Sequence, residues 1–109
     1  MQRAAIAENR LFQALADPSR RAILESLTRG EAAVKDLTSR FDISQPAVSQ
    51  HLATLKEAGL VSGRREGRRV YYRVDPRGMK PLIDWIAHYR AFWTDRVGHL
   101  ERLLETMDG

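Results

Sequence analysis

The chain contains no cysteine. That absence excludes disulfides, thiol redox switching and any zinc or arsenic chemistry that runs through thiolates, and it fits a reducing cytoplasm. Long apolar runs are missing as well. The opening stretch MQRAAIAENRLFQALA is broken by Arg3, Glu8 and Arg10 and lacks the apolar core of a signal peptide; no later stretch is long enough to span a bilayer. The expected location is the cytoplasm, with no membrane partner. The sequence also lacks an internal repeat, a low-complexity segment, a phosphate loop and the glycine pattern of a nucleophile elbow. Its acids stand among basic residues on helix surfaces rather than as a pair facing one pocket. Nothing in it supports an enzyme, and no cofactor is expected.

What is present fits one soluble, globular domain over residues 1–109, with 43% hydrophobic and 29% charged residues. A chain of this length buries a modest core, so added stability from an oligomer would be unsurprising. The formal net charge is +4, and it is local: Arg64, Arg65, Arg68, Arg69 and Arg73 stand against the single acid Glu66 and account for the whole excess. So concentrated a patch suits a polyanion better than a small acidic substrate.

The periodicity predicts a mainly α chain with a small β-hairpin, about five helices plus a two-stranded wing. A first helix is expected over Glu8–Leu15. Asp17 and Pro18 form the N-cap and first position of a second helix, which buries Ile23, Leu24 and Leu27 and stops at Gly30. A third runs from Val34 to Phe41. A brief link leads to the fourth, capped by Ser44, stapled by Ile43 and Val48, and closed by Gly59 with Leu60 folding back on Leu55. The period then alternates: Val70, Tyr72 and Val74 share one side of a strand and Arg69, Tyr71 and Arg73 the other, with Val61–Arg64 as partner and Glu66-Gly67 near the turn. A last helix spans about Pro81 to Met107.

The stretch ISQPAVSQHLATLKEAGLV (43–61) carries the chemistry. Its helix buries Val48, Leu52 and Leu55, while Ser44, Gln45, Pro46, Ser49 and Gln50 form a polar front free of charge. Base edges in the major groove offer mixed donors and acceptors that Gln and Ser match, whereas a Glu there would be repelled by phosphate. A solvated helix face explains the front alone; joined to an arginine hairpin, it points to a winged helix-turn-helix on DNA. A protein-interaction module without specific DNA binding is the alternative. His51, beside the buried stripe, suits a packed or helix-bonding imidazole better than a base reader. Arg20 and Arg21 suit phosphate or solvent equally, and Tyr71 suits DNA or sheet packing equally.

LADPSRRAIL (15–24), DISQPAVSQHLATLKEAGLV (42–61) and REGRRVYYRVDP (65–76) resemble the consensus of the ArsR/SmtB family of bacterial repressors. The resemblance implies a homodimeric repressor with Ser44, Gln45, Pro46, Ser49 and Gln50 in the major groove of double-stranded operator DNA. Arg65, Arg68 and Arg69 would lie on the wing, reaching phosphate or the minor groove. The departures from the family pattern argue against its metal sites here. Where the family carries paired cysteines this chain has Ala33 and Lys35, and where it carries its other ligand set this chain has Pro76, Gly78, Tyr89 and Phe92. His88 and His99 keep a ligand-like mutual spacing, but their companions would be Ile86 and Arg102. In the last helix Leu82, Ile86, Tyr89, Trp93, Val97, Leu100, Leu104 and Met107 form a seam that Trp85, Phe92 and Leu103 widen. So wide an apolar face exceeds what the domain can cover, and pairing with a second copy, helped by Leu11 and Phe12, is the expected solution. The inducing signal stays open between a small apolar effector at the dimer interface, autoregulation by protein level, and a site that one chain does not reveal.

Overall fold

The computed structural model describes residues 2–108, with the side chains of 2–7, 91 and 108 left aside. Met1 and Gly109, the ends of the expected domain, lie outside the described residues. The order is α1 (Gln2–Leu15), α2 (Pro18–Leu27), β1 (Ala32–Ala33), α3 (Val34–Arg40), α4 (Gln45–Glu57), β2 (Val61–Glu66), β3 (Arg69–Val74), a 3-10 turn (Pro76–Met79) and α5 (Lys80–Asp108). α1 starts earlier than expected, because the alanine-rich stretch before Glu8 favours the helix.

The capping residues predicted from the sequence act as expected. The Asp17 carboxylate accepts from the backbone N–H groups of Ser19 and Arg20 at 2.8 and 3.1 Å, with Pro18 next in line. Arg20, half-buried, and Arg21, exposed, both hydrogen-bond to the end of α1. They donate backwards to the carbonyls of Gln13, Ala14, Leu15 and Ala16, so the free acceptors that end α1 are satisfied by the first turn of α2. Ser44 caps α4 through Ala47 N–H at 3.2 Å. At its other end Gly59 sits at φ 80°, and Gly59 N–H and Leu60 N–H donate to Lys56 and Leu55 carbonyls at 2.9 Å each, the paired bonds of a Schellman closure.

The core gathers Ile23, Leu24 and Leu27 from α2, Leu37 from α3, Val48, Leu52 and Leu55 from α4, and Leu60 and Val61 beyond it. Leu11 and Ala14 belong to it as well. Leu11 is 0% exposed, so it is not available to a second copy, and the expectation that it joins Phe12 in an interface is corrected. Neighbouring helical residues stand about 100° apart, so the face of α1 that buries Leu11 turns Phe12 outward.

The two-stranded wing expected is present as β2 and β3, and a short third strand joins its sheet. β2 and β3 pair from Val61↔Val74 to Glu66↔Arg69, leaving Gly67 (φ 63°) and Arg68 as a two-residue turn of the kind that needs glycine first. β1 then adds on the far side of β3 through Ala32↔Tyr72 and Ala33↔Tyr71, giving the antiparallel order β1-β3-β2. Two alanines carry no alternation of their own, so only the pairing with β3 makes them a strand.

Candidate nucleic-acid interface

The helix pair α3–α4 and the wing present one composite surface. The short turn after α3 and the Ser44 cap set where α4 begins, and burial of Val48, Leu52 and Leu55 sets its rotation. Gln45, Pro46, Ser49 and Gln50 are thereby held on the exposed side. Ser44 is exposed too, but its oxygen already accepts from Ala47, so its hydroxyl is left to donate. His51 takes the packed alternative: it is half-buried, and its Nδ1 is closed off without a partner among the described residues.

On the wing, Arg65, Arg68 and Arg69 are exposed around the hairpin tip. The remaining basic residues are engaged. Arg73 Nε donates to Ser62 Oγ at 3.4 Å. Arg64 pairs with Glu31, just before β1, and its Nη1 lies 2.8 Å from a Glu66 oxygen, with the guanidinium 5.1 Å from the centre of the Tyr71 ring. The side-chain hydrogen bond from Arg64 holds the Glu31 carboxyl below its ordinary range and, in return, raises the guanidinium's own affinity for its proton. Tyr71 is thus a stacking platform inside the sheet face. The charge patch seen in the sequence therefore splits: the tip is free to meet a polyanion, while Arg64 is neutralised by two carboxylates. Sequence reasoning missed Glu31 altogether, since nothing local marks a glutamate whose partner lies 33 residues away.

The other expected residues fall into two groups. Phe12, Trp85, Tyr89, Phe92, Trp93, Leu100 and Leu104 are exposed, Trp93 at 58%, along one side of α5 and the adjoining α1. Phe12 meets Trp85 edge-on with ring centres 5.4 Å apart, and Trp85 meets Tyr89 at 5.1 Å. Positions compared with metal ligands are spread apart. Ala33 is buried in β1, Lys35 is exposed on α3, and His88 and His99 are separated by about three turns of α5. Among the described residues no three His, Asp or Glu side chains converge as a metal group would require. No described helix is long and apolar enough to cross a membrane.

Comparison with known proteins agrees with this geometry. The model for "Bacterial regulatory protein, arsR family" matches residues 17–62, from the α2 cap through α4 to the start of β2. The HTH-type transcriptional regulator Rv2034 of Mycobacterium tuberculosis is 42% identical, with 90% of this chain and 89% of that protein covered. The transcriptional repressor SdpR of Bacillus subtilis is 36% identical over 74% of this chain and 90% of its own length. A crystal structure of an ArsR family transcriptional regulator superposes with a TM-score of 0.74 at 32% identity, covering 83% of this chain and 93% of that one. A capped helix-turn-helix with a neutral polar front, a basic wing tip and relatives matched over nearly their whole length place this chain in the arsR family of bacterial regulatory proteins.

Proposed function

We propose that this protein is a homodimeric transcriptional repressor whose two α4 helices enter successive major grooves of a two-fold related operator. Regulation of transcription through DNA, rather than catalysis, follows from the family. The assignment of individual residues is the proposal: Gln45, Ser49 and Gln50 meet base edges, and Arg65, Arg68 and Arg69 meet the backbone or narrow minor groove beside them. The observation that carries it is the division of labour on one surface. The exposed front of α4 holds neutral hydrogen-bonding groups, and the exposed guanidinium groups of Arg65, Arg68 and Arg69 stand at the wing tip, while that of Arg64 is paired with Glu31 and Glu66.

The dimer rests on the aromatic face of α5, which Phe12 of α1 meets only near the helix start, at Trp85, and which is exposed beyond it through Trp93, Leu100 and Leu104. The same face carries a groove of about 590 Å³ bounded by Trp85, Tyr89, Trp93 and Val97, and this favours a small apolar effector seated at the interface as the signal that releases DNA. Sequencing the genomic DNA retained by the protein tests the function directly. Enrichment of a short inverted repeat upstream of genes supports it, and retention of DNA without sequence preference would show that α4 does not read bases.

A further inference from the structure

We infer that Arg64 is a positioning residue that straps the wing to the body of the protein, rather than one of the arginines that touch DNA. The inference rests on the reading that the wing meets DNA and adds what fixes its angle. In the sheet register Arg64 lies opposite Tyr71, and Tyr71 lies opposite Ala33 on the other side. Arg64 starts on β2, crosses over the ring of Tyr71 on β3, and reaches Glu31 at the entry to β1. That path covers two strand spacings, about 10 Å. Glu66, two residues along the same strand, holds the other edge of the guanidinium at 2.8 Å. Arg73 lies close enough to lower the Glu31 carboxyl further.

The mechanical need is plain. An isolated two-stranded hairpin is marginal in water; Val61, Tyr72 and Val74 pack its base on the core, but across the sheet β1 offers only two residues of pairing to steady it. β1 is continuous with α3, where Asp36 accepts from Ala33 N–H at 3.0 Å, and α3 packs on α4. A strap from β2 to the start of β1 therefore couples the wing to the helix-turn-helix. Arginine suits the role because its planar fork pairs with two carboxylates while its face stacks on a ring; lysine supplies one point charge. A single exposed ion pair contributes little, but a forked and stacked one loses less entropy for each bond made.

The test uses the sign of a charge effect. Glu31→Ala removes a negative charge near DNA, so electrostatics alone demands tighter binding. Positioning demands the reverse: Glu31→Ala and Arg64→Ala each weaken operator binding about threefold, the range set by exposed pairs, with the slope of log affinity against log salt unchanged. The double variant is no weaker than either single one, and Arg64→Lys recovers part of the loss. In the DNA-free protein both single variants speed hydrogen exchange of the Arg69–Val74 amides and leave α2 and α4 unaffected. Tighter binding by Glu31→Ala, a slope lowered by about one unit in Arg64→Ala, or unchanged exchange would each overturn the proposal. Arg68→Ala serves as the control for the underlying reading. If it leaves affinity and slope untouched, the wing does not meet DNA, and exchange alone decides whether the strap exists.

Discussion

Single residues on this surface do different physical work, and the difference is measurable. Gln50 sits on the exposed side of α4, where its main chain is engaged by the helix and by Thr54 Oγ1 at 3.1 Å, and its side-chain amide has no partner among the described residues. A base-reading amide discriminates between sequences, so Gln50→Ala is expected to cost about 1–3 kcal/mol on operator and little on random DNA. Arg68 and Arg69 act through charge. Replacing either by Ala weakens operator and random DNA alike and flattens the salt slope by about one unit, as competition binding at several salt concentrations will show. If Gln50→Ala weakens all DNA equally, the helix has been given the wrong role. Carboxylates set the response to acid. Glu31 is held below its ordinary 4.5 by the Arg64 hydrogen bond, Asp17 below 3.8 by the Arg20 backbone N–H, and Asp75 below 3.8 by Arg77. All three are depressed in the folded state, so their stabilisation is fully present above the ordinary values and disappears as pH falls through the folded ones. Thermal melting should therefore hold steady from neutrality to about pH 5 and then decline, less steeply for Glu31→Ala.

At the scale of elements, stability depends on how helices end and where backbones touch. Removing the Ser44 cap leaves Ala47 N–H without its partner, and Ser44→Ala should cost about 1 kcal/mol in denaturant unfolding. The join between α4 and α5 is more exacting. A Cβ at position 78 would sit 1.6 Å from the carbonyl oxygen of Gly59, so the Schellman turn after α4 and the 3-10 turn before α5 meet backbone to backbone. Neither partner can yield by rotating a side chain. Gly78→Ala is accordingly expected to destabilise by about 1–3 kcal/mol and to shift α5 on the body, and an unchanged unfolding midpoint would contradict the contact. The same packing explains why position 78 carries no side chain that could serve a ligand.

The whole molecule measures 66 × 35 × 20 Å, an elongation produced by α5. Twenty-nine helical residues extend about 44 Å, and their main contacts are with α1 and the 3-10 turn near the helix start. The far half, including Val97, Leu100, Leu103 and Leu104, is exposed. Exposed apolar faces of this extent favour association, and a self-complementary face closes as a two-fold dimer. Sedimentation should find a dimer, and Trp93→Glu should weaken the dimer and operator affinity together, because it buries an unpaired charge. A wild-type monomer with full operator affinity would refute the assembly.

The amino-acid order by itself determined whatever depends on residues within a turn or two of one another. The Asp17-Pro18 start, the Ser44 cap, the Gly59 closure, the stripe Val48, Leu52 and Leu55 and the uncharged front opposite it are all such features, because capping and helical periodicity act over three or four positions. Tertiary structure decided what lies between distant segments. Ala32–Ala33 became a strand only because β3 offered an edge, and Arg20 and Arg21, which suited phosphate or solvent equally, became caps because α1 ended beside them. Leu11 went to the core and Phe12 to the surface once α1 had docked. Arg64 left the charge patch because folding brought Glu31 across the sheet to meet it. These outcomes depend on which surfaces meet, and a contact between residues far apart in the chain leaves no periodic mark on either partner's neighbours.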